Sequence, residues 1–362
     1  MSDAQSRLLQ IRDILTMNRT ATIVPFDPNC TKFPSRKDVP KRADAPEGAA
    51  WVWGEDDQLG RINLLTPTRV KAATAEIKTG ETIALNLPLN VPEVPCFHRE
   101  TFKHEIKALA PGKAYDDLYT LNTQSGTQWD GFRHISHLAT GTFYNNTHEA
   151  DIVGPDANLK DSVHHWSEHG GLVGRGILLD YRAYADKKGI QYDSFIDHRI
   201  PYEELRLCGQ DQGIDIRPEA QGGHVKIGDI LFIRSGFVHQ YFQMKSDDWK
   251  PIAVRPHDIG ENDQQKWAGV AQEEKMLDWL HDCYFAAVAG DSPSFEAWPS
   301  NREYYLHEYL LAMWGCPIGE MLDLEKLAAR CHETKRWTFF VTSSPNNTPG
   351  GVSTHANAIA IL

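Results

Sequence analysis

Three short apolar runs closed by turn residues most constrain what this chain can fold into. They are Gly176-Ile-Leu-Leu-Asp180, the run Ile230-Leu-Phe-Ile233 inside Gly228–Gly236, and Tyr284–Ala289 ending at Gly290-Asp291. A run of this length with no polar alternation suits a strand covered on both faces. Thr82–Leu89 alternates apolar and polar residues, Phe102–Leu109 does so less regularly, and Arg336–Thr342 and Ala356–Leu362 close the chain; all four read as strands. Helical periods lie between them. Thr66-Pro67 supplies a hydroxyl N-cap and a proline at the first helical position, with Gly80 as a stop. Glu273–Leu280 has helical spacing, and Arg302–Trp314 has it too, stopped by Gly315 and Pro317. This irregular alternation predicts an α/β (or α+β) fold, a single domain with a mixed β-sheet core and flanking helices.

That domain is expected over residues 51–362, beginning near Trp51, with residues 1–50 as an N-terminal extension. In the extension, Leu8–Leu15 reads as a short amphipathic helix. Pro25–Pro46, rich in Pro, Lys, Arg and Asp, reads as an irregular arm that wraps the domain or a partner subunit.

The formal net charge of −12 is dispersed along the chain and argues against a nucleic-acid or anionic-membrane surface. No apolar run is long enough to span a bilayer, and Met1–Arg7 lacks the apolar stretch of a secretory signal. Six cysteines at 30, 96, 208, 283, 316 and 331 form no C-x-x-C pair, which suits reduced thiols and a cytoplasmic protein. His164-His165 near Glu168 and His169 looks like a metal cluster but reads better as a polar surface loop with diverging side chains.

The chemistry concentrates in Gln124-Ser-Gly-Thr-Gln128-Trp-Asp130-Gly-Phe-Arg-His134. If the segment is extended, Gln124, Gln128, Asp130 and His134 share one face, because alternate side chains do. Gly126 and Gly131 then let the backbone bend or approach a neighbour. Asp130 beside His134 makes an acid–base pair. The same residues also suit a polar loop whose side chains serve backbone groups. Trp53 and Trp129 are candidate walls of an aromatic-substrate pocket, or simply core. His307 on its helix also suits a satisfied core histidine, and Glu320, after Pro317 and Gly319, suits a carboxylate at a helix N-terminus.

The segment resembles the signature H-x-G-T-H-x-D-x-P-x-H of the cyclase / kynurenine-formamidase superfamily, with Gly126, Thr127, Asp130 and His134 in place. Gln124 and Gln128 stand where that signature has histidines, and Gly131-Phe132 around its proline. Further pieces follow in the family's order: Gly176–Tyr181, Lys226–Gly236, Ala289-Gly-Asp-Ser-Pro293, and His307 with Leu310-Leu311, Pro317 and Glu320; Trp53–Gly60 with Asn63–Pro67 resembles the opening of the larger members. The resemblance implies the superfamily's swivelling β/β/α-like fold and a divalent ion that activates water. Carried over, its ligands are Asp130, His307 and Glu320.

Amide oxygen is a poor zinc ligand, so one Mn²⁺ or Mg²⁺, or no metal, is expected rather than a binuclear zinc site. The resemblance thus implies a hydrolase of a cyclic or aryl amide, lactone or related carbonyl compound. His134 would be the general acid/base, Asp130 and Gln128 would assist it, and Gln124, Trp129 and Trp53 would contact a small-molecule substrate. A lyase or cyclase of secondary metabolism on the same scaffold, and a binding protein that lost its metal site, are the alternatives. A homodimer or homotetramer is expected.

Overall fold

The computed structural model of the protein describes residues 25–259 and 263–362. The helix expected at Leu8–Leu15 lies outside the described residues. In chain order the strands are β1 (Thr82–Ala84), β2 (Lys103–Ala110), β3 (Ala114–Thr120), β4 (Gln128–Asp130), β5 (Leu172–Leu179), β6 (Arg199–Ile200), β7 (Ile230–Ile233), β8 (Gly269–Val270), β9 (Ala287–Gly290), β10 (Ile318–Glu320), β11 (Thr338–Ser343), β12 (Ser353–His355) and β13 (Ala358–Ile361).

Nine of them form one sheet in the order β1-β13-β11-β5-β7-β9-β10-β4-β12. The centre, β5-β7-β9-β10, is parallel, and the strands on either side pair antiparallel. The mixed sheet therefore has its most apolar strands where both faces are covered, as the three apolar runs required. Helices Tyr202–Gln212, Glu274–Asp282 and Glu325–Thr334 flank it. The α/β class and the mixed sheet are as the pattern predicted.

Several boundaries differ from the sequence reading for local reasons. Thr66 caps the helix Pro67–Ala73 through its hydroxyl, which accepts from Arg69 N at 3.5 Å. The strand expected over Thr82–Leu89 stops at Ala84; by Leu87 the backbone N–H has turned to Thr127 Oγ1, 2.8 Å away. The helix expected over Arg302–Trp314 starts only at Leu306 and runs as a π-helix over Glu308–Met313. Its start is displaced because carboxylates claim the first amides. Glu296 accepts from Leu306 N and His307 N, at 2.7 and 2.8 Å, and Glu308 accepts from Tyr305 N at 2.8 Å.

The described part of the arm, residues 25–50, contains no helix or strand and lies against the body. Arg36 pairs with Asp278 and Glu274 on one helix, and Phe33 stacks on Tyr284 with centroids 4.6 Å apart.

The matched pieces turn out to hold one another. Arg234 at the end of β7 donates to Asp180 at the end of β5, at 2.8 Å. Asp291 after β9 accepts from Ser235 N, Ser235 Oγ and Gly236 N, at 2.6, 2.7 and 2.9 Å. These carboxylates tie the C-terminal ends of the parallel strands together, so the motif pieces at 180, 234 and 291 serve the scaffold. All six cysteines are free. No helix among the described residues is long and apolar enough to cross a membrane.

Candidate active site

Only Gln128–Asp130 of the motif is a strand, and the residues on either side arrive by turns. β4 lies between β10 and β12, which sets Gln128 opposite Glu320 on one side and opposite His355 on the other. Strand alternation puts Gln128 and Asp130 on one face and Trp129 on the other. Thr127 pins the entry to β4, donating to Met321 O at 2.5 Å while accepting from Leu87 N. After β4 the chain must pass within contact distance of its neighbours: a Cβ on Gly131 would meet Val352 O at 2.4 Å and a Val163 methyl at 2.5 Å. Arg133 then fastens the turn by donating to the carbonyls of Lys160, Asn158 and Gly350. That turn returns His134 to the face of Asp130.

The result is a compact polar cluster. Gln124 Nε2 donates to Asp130 Oδ1 at 2.6 Å and faces the His134 ring, 3.2 and 3.1 Å from its two nitrogens. Gln128 Nε2 donates to Glu320 Oε2 at 2.8 Å and lies 3.3 Å from Asp130 Oδ1. His307 sits between two carboxylates, with Nδ1 2.8 Å from Glu296 Oε1 and Nε2 3.1 Å from Glu320 Oε1. Asp130 Oδ2 is 3.8 Å from His134 Nε2 and 3.9 Å from His307 Nε2, and it has no hydrogen-bond partner.

The charges follow from these contacts. Burial opposes the His307 cation, but hydrogen bonds to Glu296 and Glu320 outweigh it and raise its pKa to about 10. Burial, then the nearby Arg99 and His307 charges, push His134 down to about 3, so its imidazole is neutral. Burial raises both Asp130 and Glu320; the neighbouring Asp130 charge adds to the rise at Glu320.

His134, Gln124, His307 and Glu320 line one end of a cavity of about 250 Å³. Arg99, Phe97, His257, Trp298 and Ser294 line the rest with Ile135, Ile259 and Pro293. A second cleft, of about 190 Å³, contains Arg69, Arg175 and Asp229, but Arg175 is already paired with Asp229 at 2.6 Å. Of these two, the first cavity is the one that the motif residues line.

Four sequence-derived expectations change here. Trp129 faces away from the cavity: it is 1% exposed, donates Nε1 to Ser343 Oγ and packs on Gly319, because odd positions of β4 point into the core. Trp53 lies apart from the cavity, in an edge-to-face cluster with Phe26 and Phe33. Gln128 is fully buried and does not line the cavity, since its register directs its amide at Glu320. Glu320 is on a strand, not at a helix N-terminus.

His164 and His165 do not diverge in a loop. They occupy a short helix with ring centroids 3.9 Å apart, His164 turned to Ser162 Oγ and His165 to the carbonyl of Leu159. Glu296, Arg99, His257 and Ser294 were missed. Each sits far from the motif in sequence, and only the Gly290–Pro293 turn lay close enough to point to one of them, Ser294.

Asp130, His307 and Glu320 each offer one ligand atom within 4.8 Å of the others, a group able to hold one metal ion. The unpartnered Asp130 Oδ2 and the unpartnered, buried Gln128 Oε1 fit such an ion. Two imidazoles short, the donor set does not fit a binuclear zinc site.

A family model described as "Putative cyclase" matches residues 83–297. A crystal structure described as a novel cyclase superposes with a TM-score of 0.71 at 26% identity, covering 86% of this chain and 98% of that one. Isatin hydrolase A from Ralstonia solanacearum superposes with a TM-score of 0.50 at 16% identity, over 82% of this chain and 97% of that one. An isatin hydrolase bound to the product analogue thioisatinate gives 0.51 at 13% identity, over 82% and 97%. At these identities the two hydrolases share the fold. No match was found among curated proteins.

Proposed function

Because the chain belongs to the Cyclase family, we propose that it is an enzyme hydrolysing a cyclic or aryl amide, a lactone or a related carbonyl compound, with His134 as the proton-transfer group. One observation carries this reading. The His134 imidazole lines the cavity, a fifth exposed, with a buried carboxyl oxygen of Asp130 3.8 Å from its Nε2. A neutral imidazole accepts a proton from an attacking water and returns it to the leaving nitrogen or oxygen, while a carboxylate nearby steadies the imidazolium that forms in between. Gln124 lies against the ring while donating to Asp130, which links the imidazole to the buried carboxyl. Gln128 takes up both buried carboxylates and keeps them in register.

With His307 deprotonated, Asp130, His307 and Glu320 would hold a single divalent ion, Mn²⁺ or Mg²⁺ in preference to zinc, since most of the donors are oxygens. When bound, such an ion would polarise the carbonyl and lower the pKa of a water.

A small-molecule substrate, a cytoplasmic location and a homodimer or homotetramer belong to the same proposal. The test is turnover of aryl amides, lactones and cyclic imides in ¹⁸O-water, with the metal content of the purified protein and the activity after chelation measured alongside. Label in the product acid supports hydrolysis. Turnover without label points to elimination or cyclisation, and no turnover of any member overturns the reading.

A further inference from the structure

The cavity wall beside the motif carries a cation to which the proposed proton transfer assigns no chemical step. Arg99 is half-buried, its Nη1 donates to the carbonyl of Gln124 at 2.7 Å, and its guanidinium lies 5.2 Å from the centroid of the Phe97 ring. Among the described residues it forms no ion pair, and its Nε and Nη2 make no hydrogen bond. Those two groups form the side-on edge of the guanidinium, the fork that matches a carboxylate with two parallel N–H···O bonds. The Nη1 bond anchors the group to the backbone of the motif and leaves that edge available.

A second, independent feature also points to a ligand. Ser294 lines the same cavity, is 2% exposed, and its Oγ has no hydrogen-bond partner. A buried hydroxyl without a partner is costly, and a polar group of a ligand would satisfy it.

The remaining walls are largely aromatic. Phe97 meets Trp298 edge-on with centroids 5.3 Å apart and lies 4.8 Å from the His257 ring. Buried Asp263 holds two of these walls at once, accepting from Trp298 Nε1 at 2.7 Å and lying 2.6 Å from His257 Nδ1. An aromatic surface held in this way suits a ring-bearing ligand.

We propose that Arg99 is the specificity anchor of this cavity, taking a carboxylate carried by an aromatic substrate whose ring lies along Phe97 and Trp298 and whose second polar group meets Ser294. The inference rests on the hydrolase reading for the identity of the site and adds the substrate class, an aryl carbonyl compound that bears a carboxylate.

The probe is benzoate, with benzamide as its uncharged isostere, each titrated by calorimetry into the purified protein. Benzoate is expected to bind at least about tenfold more tightly than benzamide, as a charge-assisted pair over a neutral one. In Arg99→Gln that preference is expected to disappear while benzamide still binds, and Arg99→Lys should keep only part of it because an ammonium lacks the fork. The proposal is overturned if benzoate does not bind the native protein, if benzamide binds it equally well, or if Arg99→Gln binds benzoate as the native protein does. Should Arg99→Gln not fold, the native comparison alone decides. Turnover is not read, so failure of the hydrolase reading leaves the benzoate preference standing, and loss of the preference leaves the His134 assignment standing.

Discussion

Gln128 stands directly opposite Glu320 across the β4–β10 pair and donates to it at 2.8 Å, both side chains being buried. An amide in this position gives the carboxylate a neutral hydrogen-bond donor in place of a second imidazole. With Gln124 doing the same for Asp130, the cluster keeps Asp130 and Glu320, His307 between Glu296 and Glu320, and its cavity-facing imidazole at His134. The consequences are testable one residue at a time.

The double substitution Gln124→His and Gln128→His restores two imidazoles beside Asp130. Zinc affinity, measured by competition with a chelating dye, should rise by at least about tenfold, since imidazole is a zinc ligand and carboxamide is not. An unchanged affinity in a folded variant would show that the glutamines are not what sets the metal preference.

His134→Ala should reduce turnover by at least about a hundredfold, the usual scale of a lost acid–base group. The side chain is partly exposed to the cavity, so the melting temperature should move little. Native kcat in a folded His134→Ala protein would remove His134 from the mechanism.

His307→Leu should be strongly destabilising, by about 3–5 kcal/mol, because Glu296 and Glu320 would lose the cation between them. Urea unfolding reads this directly. A change under about 1 kcal/mol would mean that His307 carries no charge in the native protein.

Asp161 predicts a pH dependence of stability. Burial pushes its carboxyl up to about 7, with the hydrogen bond from Thr147 and the charge of Lys160 offsetting part of the rise. A folded-state pKa above the unfolded value means that the native protein holds a proton which the unfolded chain releases. This contribution is full below the ordinary carboxylate pKa and is lost as pH rises through 7. Calorimetric melts at pH 5 and pH 8 should therefore differ less in Asp161→Asn than in the native protein, and equal differences in the two proteins would refute it.

Local chemistry made much of this fold legible. The runs at 176–180, 230–233 and 284–289 each supply a buried strand, the last only from Ala287 because Tyr284–Ala286 still belong to the turn after the preceding helix. The Thr66 cap was readable because it acts over three residues. Trp129 was readable too, had strand alternation been applied to it as it was to Gln128 and Asp130. The late start of the helix at Leu306 was not, because Glu296 takes two of its first amides from ten and eleven residues away.

The sequence by itself determined the family pattern, the mixed sheet and the identity of the acids and imidazoles near the motif, all of which depend on short-range periodicity and residue type. Only the tertiary structure decided what those groups face. The order β9-β10-β4-β12 brings Glu320 to Gln128 across 192 residues, and packing brings Arg99, Ser294 and His134 to one cavity. Periodicity says which side of a strand a residue occupies. Which charge, amide or open edge waits on that side depends on strand order and loop packing, which act between segments far apart in the chain.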